Sequence, residues 1–208
     1  MHLLNLINST TLFRVWSFII KIILLLKGLK IGKNFYIEGV PKVKNLNGSG
    51  KIRIGDNVKI MGNIELRVRE SGEILIGDNA KIDRDCRIIA ARNATVNISS
   101  NTKIGCFTIM NCGADVCIGE YSLISGFCYI QSSAHKISKN KKIQLQKHIH
   151  SKIMIEQDVW IGSHATILGG VSLKKGTVVG ATAVMNKSTK KYEIWAGVPG
   201  KRIGSRKK

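Results

Sequence analysis

The sequence predicts an all-β chain wound as a parallel β-helix, and two spacings carry that prediction. Aliphatic residues fall at every sixth position through Ile155, Ile161, Ile167, Leu173, Val179 and Met185. Four places after each of the first five comes a small or β-branched residue: Val159, Ala165, Val171, Thr177 and Ala183. A period of six is neither the 3.6 of a helix nor the simple alternation of a strand. It suits a three-sided coil of about eighteen residues, each turn pairing edge-on with the next. The aliphatic residue of each hexad points inward and the small one packs beside it. Gly162, Gly169, Gly170, Gly176 and Gly180 punctuate the run, and they are expected at the corners, where glycine relieves backbone strain.

Taken in order, residues 1–30 contain no hexads. The block from Phe18 to Leu26 is apolar, interrupted by Lys21 and flanked by Arg14, Lys27 and Lys30. It is short for a membrane span, and no small-residue cleavage site of a signal peptide follows. A helix here either covers the open end of the first coil, where an unpaired edge would be exposed, or lies on a membrane surface. The sequence leaves both open.

The β-helix domain spans 31–203. Ile31-Gly32-Lys33-Asn34 reads as the first coil, followed by an irregular passage through Pro41 and Asn47-Gly48-Ser49-Gly50. A longer repeat then sets in. Ile54, Ile76, Ile98 and Ile118 mark coils with small extensions at one corner, and Gly55-Asp56-Asn57 and Gly77-Asp78-Asn79 are expected to supply the turn at that corner. Residues 131–152 break the pattern. They carry six lysines together with His135, His148 and His150, and a loop of that length inside a solenoid is expected to be functional or disordered. A C-terminal extension (185–203) and a basic tail (204–208) complete the chain.

Lys and Arg number 33 against 13 Asp and Glu, a formal charge of +20. That balance favours anionic partners such as phosphorylated cofactors, acidic polysaccharide or a membrane surface. No basic-plus-aromatic motif of a nucleic-acid-binding fold is present, and nucleic acid is not expected. The five cysteines form no C-x-x-C pair, which argues against a zinc ribbon or redox centre. Cys86 and Cys128 occupy the small inward position of their hexads, as core fillers. A reducing cytoplasm is the simplest setting.

The C-terminal half carries a resemblance. Asp158-Val159-Trp160-Ile161-Gly162-Ser163, Val178-Val179-Gly180-Ala181 and Ala196-Gly197-Val198-Pro199 resemble the sugar O-acetyltransferase branch of the hexapeptide-repeat acyltransferases. Galactoside, maltose and polysaccharide O-acetyltransferases belong to that branch. The resemblance implies a left-handed coil, a homotrimer, and acetyl-CoA as donor in a groove between subunits, with no metal. It places a catalytic histidine at His135, taking the proton of a sugar hydroxyl. Ser163 and Ala181 would meet the pantetheine arm, and Lys187 and Lys201 the nucleotide phosphates. Trp160 and Asn111 would face the substrate, and His164 would line the cofactor groove or simply face solvent. Asn186, Thr182 and Gly204 stand where the family often has threonine, glycine and arginine.

The basic surface and the apolar N-terminal block favour as acceptor a cell-surface polysaccharide or its lipid-linked precursor, met in the cytoplasm at the inner membrane face, with soluble small sugars left open. The alternatives are transfer to an amino sugar or antibiotic, a zinc lyase using His135, His148 and His150, or a non-catalytic trimeric scaffold. The spacing of the three histidines does not favour the lyase.

Overall fold

The computed structural model of the chain describes residues 9–46 and 50–207, so Asn47, Gly48 and Ser49 of the expected irregular passage lie outside it. The described residues form one left-handed parallel β-helix preceded by one α-helix. Three parallel sheets make the faces of the prism. The first runs from Lys30–Ile31 to Ser172–Leu173, the second from Tyr36–Ile37 to Glu193–Ala196, and the third from Pro41–Leu46 to Val184–Met185. On the second face, Lys201–Ser205 adds a final antiparallel strand.

The register is the hexad made physical. Ile54, Ile76, Ile98, Ile118, Ile155 and Leu173 stand directly above one another on the first face. All are buried, as are the small residues Val159, Ala165, Val171, Thr177 and Ala183. Cys86, Cys112 and Cys128 fill the same interior, and burial pushes their thiols up, to about 12, about 12 and about 11. All five cysteines are free.

Two expectations need correction. Pro41–Leu46 is not irregular: it is a six-residue strand of the third face, paired with Ile64–Arg69. Proline is tolerated there because it opens the outermost strand of its sheet, where no ladder bond is lost.

The second correction concerns the corners. Of the glycines expected to relieve strain, Gly170 at the third-to-first corner and Gly176 at the first-to-second do adopt left-handed backbone, but most such positions belong to other residues: Asn34, Asn57, Asn79, Asn101, Tyr121 and Asp158 at the first-to-second corner, and Asp85, Phe107, Phe127, His164 and Thr182 at the second-to-third. Asparagine tolerates this region and its side chain bonds locally. Asn34 donates to Asn57, and Asn57 to Asn79, in a ladder running up the corner. Glycine is needed also where the next coil presses in: a Cβ on Gly77 would lie 2.6 Å from the amide of Ser100, and one on Gly162 2.6 Å from that of Ala181.

The extensions inferred from the longer repeat lie not at the Gly-Asp-Asn corner, which joins the first face to the second, but at the third-to-first corner, at the turns holding Glu70 and Arg92. Residues 132–152 leave the prism at this same corner, between Tyr129–Gln131 of the third face and Ile153–Ile155 of the first. Their base is ordered: Ser133–His135 and His148–His150 form an antiparallel hairpin stem.

The N-terminal helix α1 (Ser9–Leu26) covers the open first coil. Ile20 and Leu24 are buried in the core. Ser17 Oγ accepts from the Ile37 amide at 2.8 Å and lies 3.1 Å from the Ile37 carbonyl. Trp16 Nε1 donates to the Gly39 carbonyl and Lys21 Nζ to that of Gly32. The helix thus supplies partners to backbone groups that a missing lower coil would otherwise leave bare. Its opposite side is also apolar: Leu12, Val15, Phe18, Ile19, Ile22 and Leu26 are exposed.

Replacing Ser17 with alanine leaves the Ile37 amide buried without this acceptor. A loss of about 1–3 kcal/mol is expected, read as a lower denaturation midpoint in urea. An unchanged midpoint would show that the cap holds without this contact.

Candidate functional site

Two neighbouring edges of the prism carry the candidate residues. The second-to-third corner gathers one set. Gly162 and Ser163 follow the buried strand residue Ile161, and Gly180 and Ala181 follow Val179, which pairs with Ile161 one coil below. Ala181 therefore stands over Gly162, where only hydrogen fits beneath it. Among the described residues no acceptor engages the Ser163 or Ala181 amide. One coil higher, Trp195 pairs with Val179, and Ala196 next to it pairs with Lys201. Lys201 thus lies at the top of the same edge, exposed. Trp160 is half-exposed on the second face, and its indole N–H donates to Ser125 Oγ at 3.2 Å, which turns the ring toward this corner.

His164 belongs to this edge as well. Its ring stacks on Phe127 at 4.8 Å, and Phe127 stacks on Phe107 at 5.0 Å, one aromatic per coil. The guanidinium of Arg84 ends the column, 5.6 Å from the Phe107 ring. Each stack is worth about 0.5–1.5 kcal/mol beyond area burial.

The third-to-first corner carries the other set. On the hairpin stem, Ser133 faces His150 and His135 faces His148. Residues directly opposite, and those two apart, share one side of a ladder. All four polar side chains therefore line one surface, while Ala134 and Ile149 line the other. The His135 and His148 rings lie 4.1 Å apart, and those of His148 and His150 lie 6.0 Å apart. Ser133 Oγ is 2.9 Å from His150 Nδ1. Burial, with Arg92 and His148 adding to it, holds His150 below the usual imidazole range. The imidazoles form a row. Among the described residues no three His, Cys, Asp or Glu side chains converge as metal ligands would.

The stem is fixed to the coil beneath it. Ser132 Oγ, buried, accepts from the amides of Gly113 and Ala114 and donates to the Ala114 carbonyl. A side chain at Gly113 would overlap both Ser133 Oγ and His150 Nδ1. His135 itself, at the end of the stem, is exposed.

Asn111 lies on the third face between the two edges, paired with Gln131 at the foot of the hairpin. Lys187 follows Val184–Met185 as the chain leaves the third face, so it stands over the hairpin edge, apart from Lys201. Within one chain, Trp160, Ser163, Ala181 and Lys201 come together, and His135 and Lys187 do not join them. The width of the third face separates the groups, roughly 15 Å at strand rise.

Of the three loop histidines, the resemblance marks His135 alone. Ser133, Gly113 and Arg92 belong to no motif of the resemblance. Two alternating triplets, Ser133-Ala134-His135 and His148-Ile149-His150, are the period-two signal that marks a hairpin with one polar side.

Both in repeat and in fold the chain is similar to the hexapeptide-repeat acetyltransferases. It is 31% identical over 104 residues to a probable acetyltransferase, Rv3034c, of Mycobacterium tuberculosis, covering 50% of this chain and 35% of that protein. It is 32% identical over 96 residues to the putative lipopolysaccharide biosynthesis O-acetyl transferase WbbJ of Escherichia coli, covering 42% and 49%. These alignments span about a third to a half of the length of those relatives. Among solved structures, AntD, an N-acyltransferase from Bacillus cereus, superposes with a TM-score of 0.64 at 21% identity over 90% of both chains. At that identity the likeness shows the fold. No protein-family model matches the chain.

Proposed function

We propose that this chain, similar in sequence and fold to the hexapeptide-repeat acetyltransferases, moves acetyl from acetyl-CoA to a sugar hydroxyl. The acceptor is a cell-surface polysaccharide or its lipid-linked precursor. The observation that carries this reading is His135: an exposed imidazole on an anchored stem, rising from an edge of a prism whose neighbouring edge offers unengaged backbone amides. A base must take the hydroxyl proton, and donors must hold the thioester carbonyl as charge develops on it.

In this scheme a ring nitrogen of His135 accepts the proton as the sugar oxygen bonds to the acetyl carbon. The carbon–sulfur bond then breaks, and the thiolate leaves with that proton, giving an acetyl ester and free thiol. The edge fits a pantetheine arm in chemistry. Gly162 has no side chain and Ala181 only a methyl, the amides of Ser163 and Ala181 are available as donors, and Lys201 supplies a cation for phosphate. His135 stands on the other edge, so a complete site needs a second copy to bring the two edges together. A trimer does this three times over.

The setting we infer is the cytoplasmic face of a membrane. Among the described residues no helix is long and apolar enough to cross one. The outward apolar side of α1, with Arg14, Lys27 and Lys30 beside it, has the composition of a helix that lies on an anionic bilayer. Three copies would reinforce one another.

The test is an acceptor screen with labelled acetyl-CoA, offering glycans, lipid-linked units, free sugars and amino sugars side by side. Ester formation on a glycan or lipid-linked unit is expected, and acetylation of amines alone would overturn the hydroxyl chemistry. In the same series, Phe18→Ser/Ile22→Ser should lose sedimentation with anionic vesicles while keeping acceptor turnover. Equal vesicle binding by both forms would remove the membrane setting.

A further inference from the structure

Beneath the histidine side of the hairpin lies a cavity of about 270 Å³, lined by Arg92, Gly113, Asp115, His150 and Lys152 among others. Arg92 sits on the turn that extends the coil at this corner, and Lys152 begins the return of the chain to the prism. Neither has a carboxylate within ion-pairing distance among the described residues. The one acid in the lining, Asp115, accepts the Thr95 amide through Oδ1 at 2.9 Å, and its single negative charge is outnumbered by the two cations.

His150 is placed here rather than merely nearby. Its Nδ1 is held by Ser133, and the absence of a side chain at Gly113 is what lets the pair pack so closely. The arrangement in which Ser133 donates to Nδ1 leaves Nε2 as an N–H donor. Burial keeps the ring below its usual range, so it contributes a neutral hydrogen bond and the charge comes from Arg92 and Lys152. A guanidinium fork, an ammonium and an N–H donor around one small polar cavity are the groups that recognise an oxyanion.

The cavity is joined to His135 along one surface, through His148, by ring-to-ring steps of 4.1 Å and 6.0 Å. We propose that Arg92, Lys152 and His150 form an acceptor subsite for an oxyanionic substituent, a carboxylate or phosphate carried on the glycan beside the hydroxyl presented to His135. The proposal rests on the glycan-acetylating reading above. It narrows that reading to acidic acceptors, and it assigns their recognition to the cavity rather than to the diffuse positive charge of the loop lysines.

The experiment is calorimetric titration of the full chain with three oligosaccharides of equal length. One bears carboxylates, one is its carboxyl-reduced counterpart, and one is phosphodiester-linked. The wild type should bind the carboxylated form at least tenfold more tightly than the reduced form. Arg92→Gln/Lys152→Gln should abolish that preference while leaving affinity for the reduced form unchanged. Arg92→Glu should reverse it, and thermal melts should show all variants folded, since both side chains are exposed. The phosphodiester arm tells which oxyanion is preferred. A preference that survives in the double variant, or none in the wild type, overturns the subsite. Binding is read without turnover, so the two readings fail separately. A charge preference lost in the variant with no glycan acetylated sinks the acetylation and leaves the subsite. Acetylation indifferent to the carboxylate does the reverse.

Discussion

His135→Ala is expected to lower turnover at least a hundredfold, with thermal stability unchanged. General-base assistance is worth about 10² to 10⁴ in rate, and an exposed side chain at the end of a hairpin stem carries little of the folding free energy. The KM for acetyl-CoA should move little, because the groups offered to the donor lie on the other edge of the prism. That split between turnover and KM separates loss of a base from loss of a binding contact. His148, with its ring 4.1 Å away, is the internal control. His148→Ala removes a packing partner of His135 and should cost less. If the order is reversed, His148 is the base and His135 supports it.

The geometry behind this expectation was only partly readable in advance. The core was plain, because a β-helix buries one aliphatic and one small residue per hexad and repeats the demand coil after coil. Ile155 through Met185 therefore announced themselves by spacing alone. The corners were harder. A glycine in sequence does not say whether it is present for its dihedral freedom or because another backbone passes close by. Here Gly77 and Gly162 serve the second purpose and Gly170 and Gly176 the first, while asparagines and aromatics take most of the other left-handed positions. Pro41–Leu46 was hidden for a related reason: proline signals a break in most contexts, yet on an outermost strand it costs no bond.

The helix α1 posed an either-or that its two sides resolve. Ser17, Ile20 and Leu24 turn inward and satisfy the first coil, while Phe18, Ile19 and Ile22 turn outward. The polar residues Ser17 and Lys21 share the coil side with Ile20 and Leu24, so polarity alone points the wrong side of the helix to solvent, and its capping role was legible only once the coil edge was in place.

The least legible feature was the relation of the two edges. Spacing along the chain cannot say that Ser163 and Ala181 lie at one corner and His135 at another, since every coil passes both. That separation yields the second large expected effect. Ala181→Trp should fill the groove beside Ser163 and remove donor binding, leaving an inactive but assembled protein, because Ala181 is exposed. His135→Ala should be inactive for want of a base. Mixed after unfolding and refolding together, the two dead proteins should regain activity. In random trimers of the proposed kind, each site would join the hairpin of one copy to the groove of the next. About a quarter of sites then pair an intact hairpin with an intact groove. Recovery near that fraction, absent when the proteins are mixed without exchange of subunits, is the expected result. No recovery after verified exchange would place base and groove within one chain, which would require the hairpin to fold across the third face and would remove the reason for a trimer.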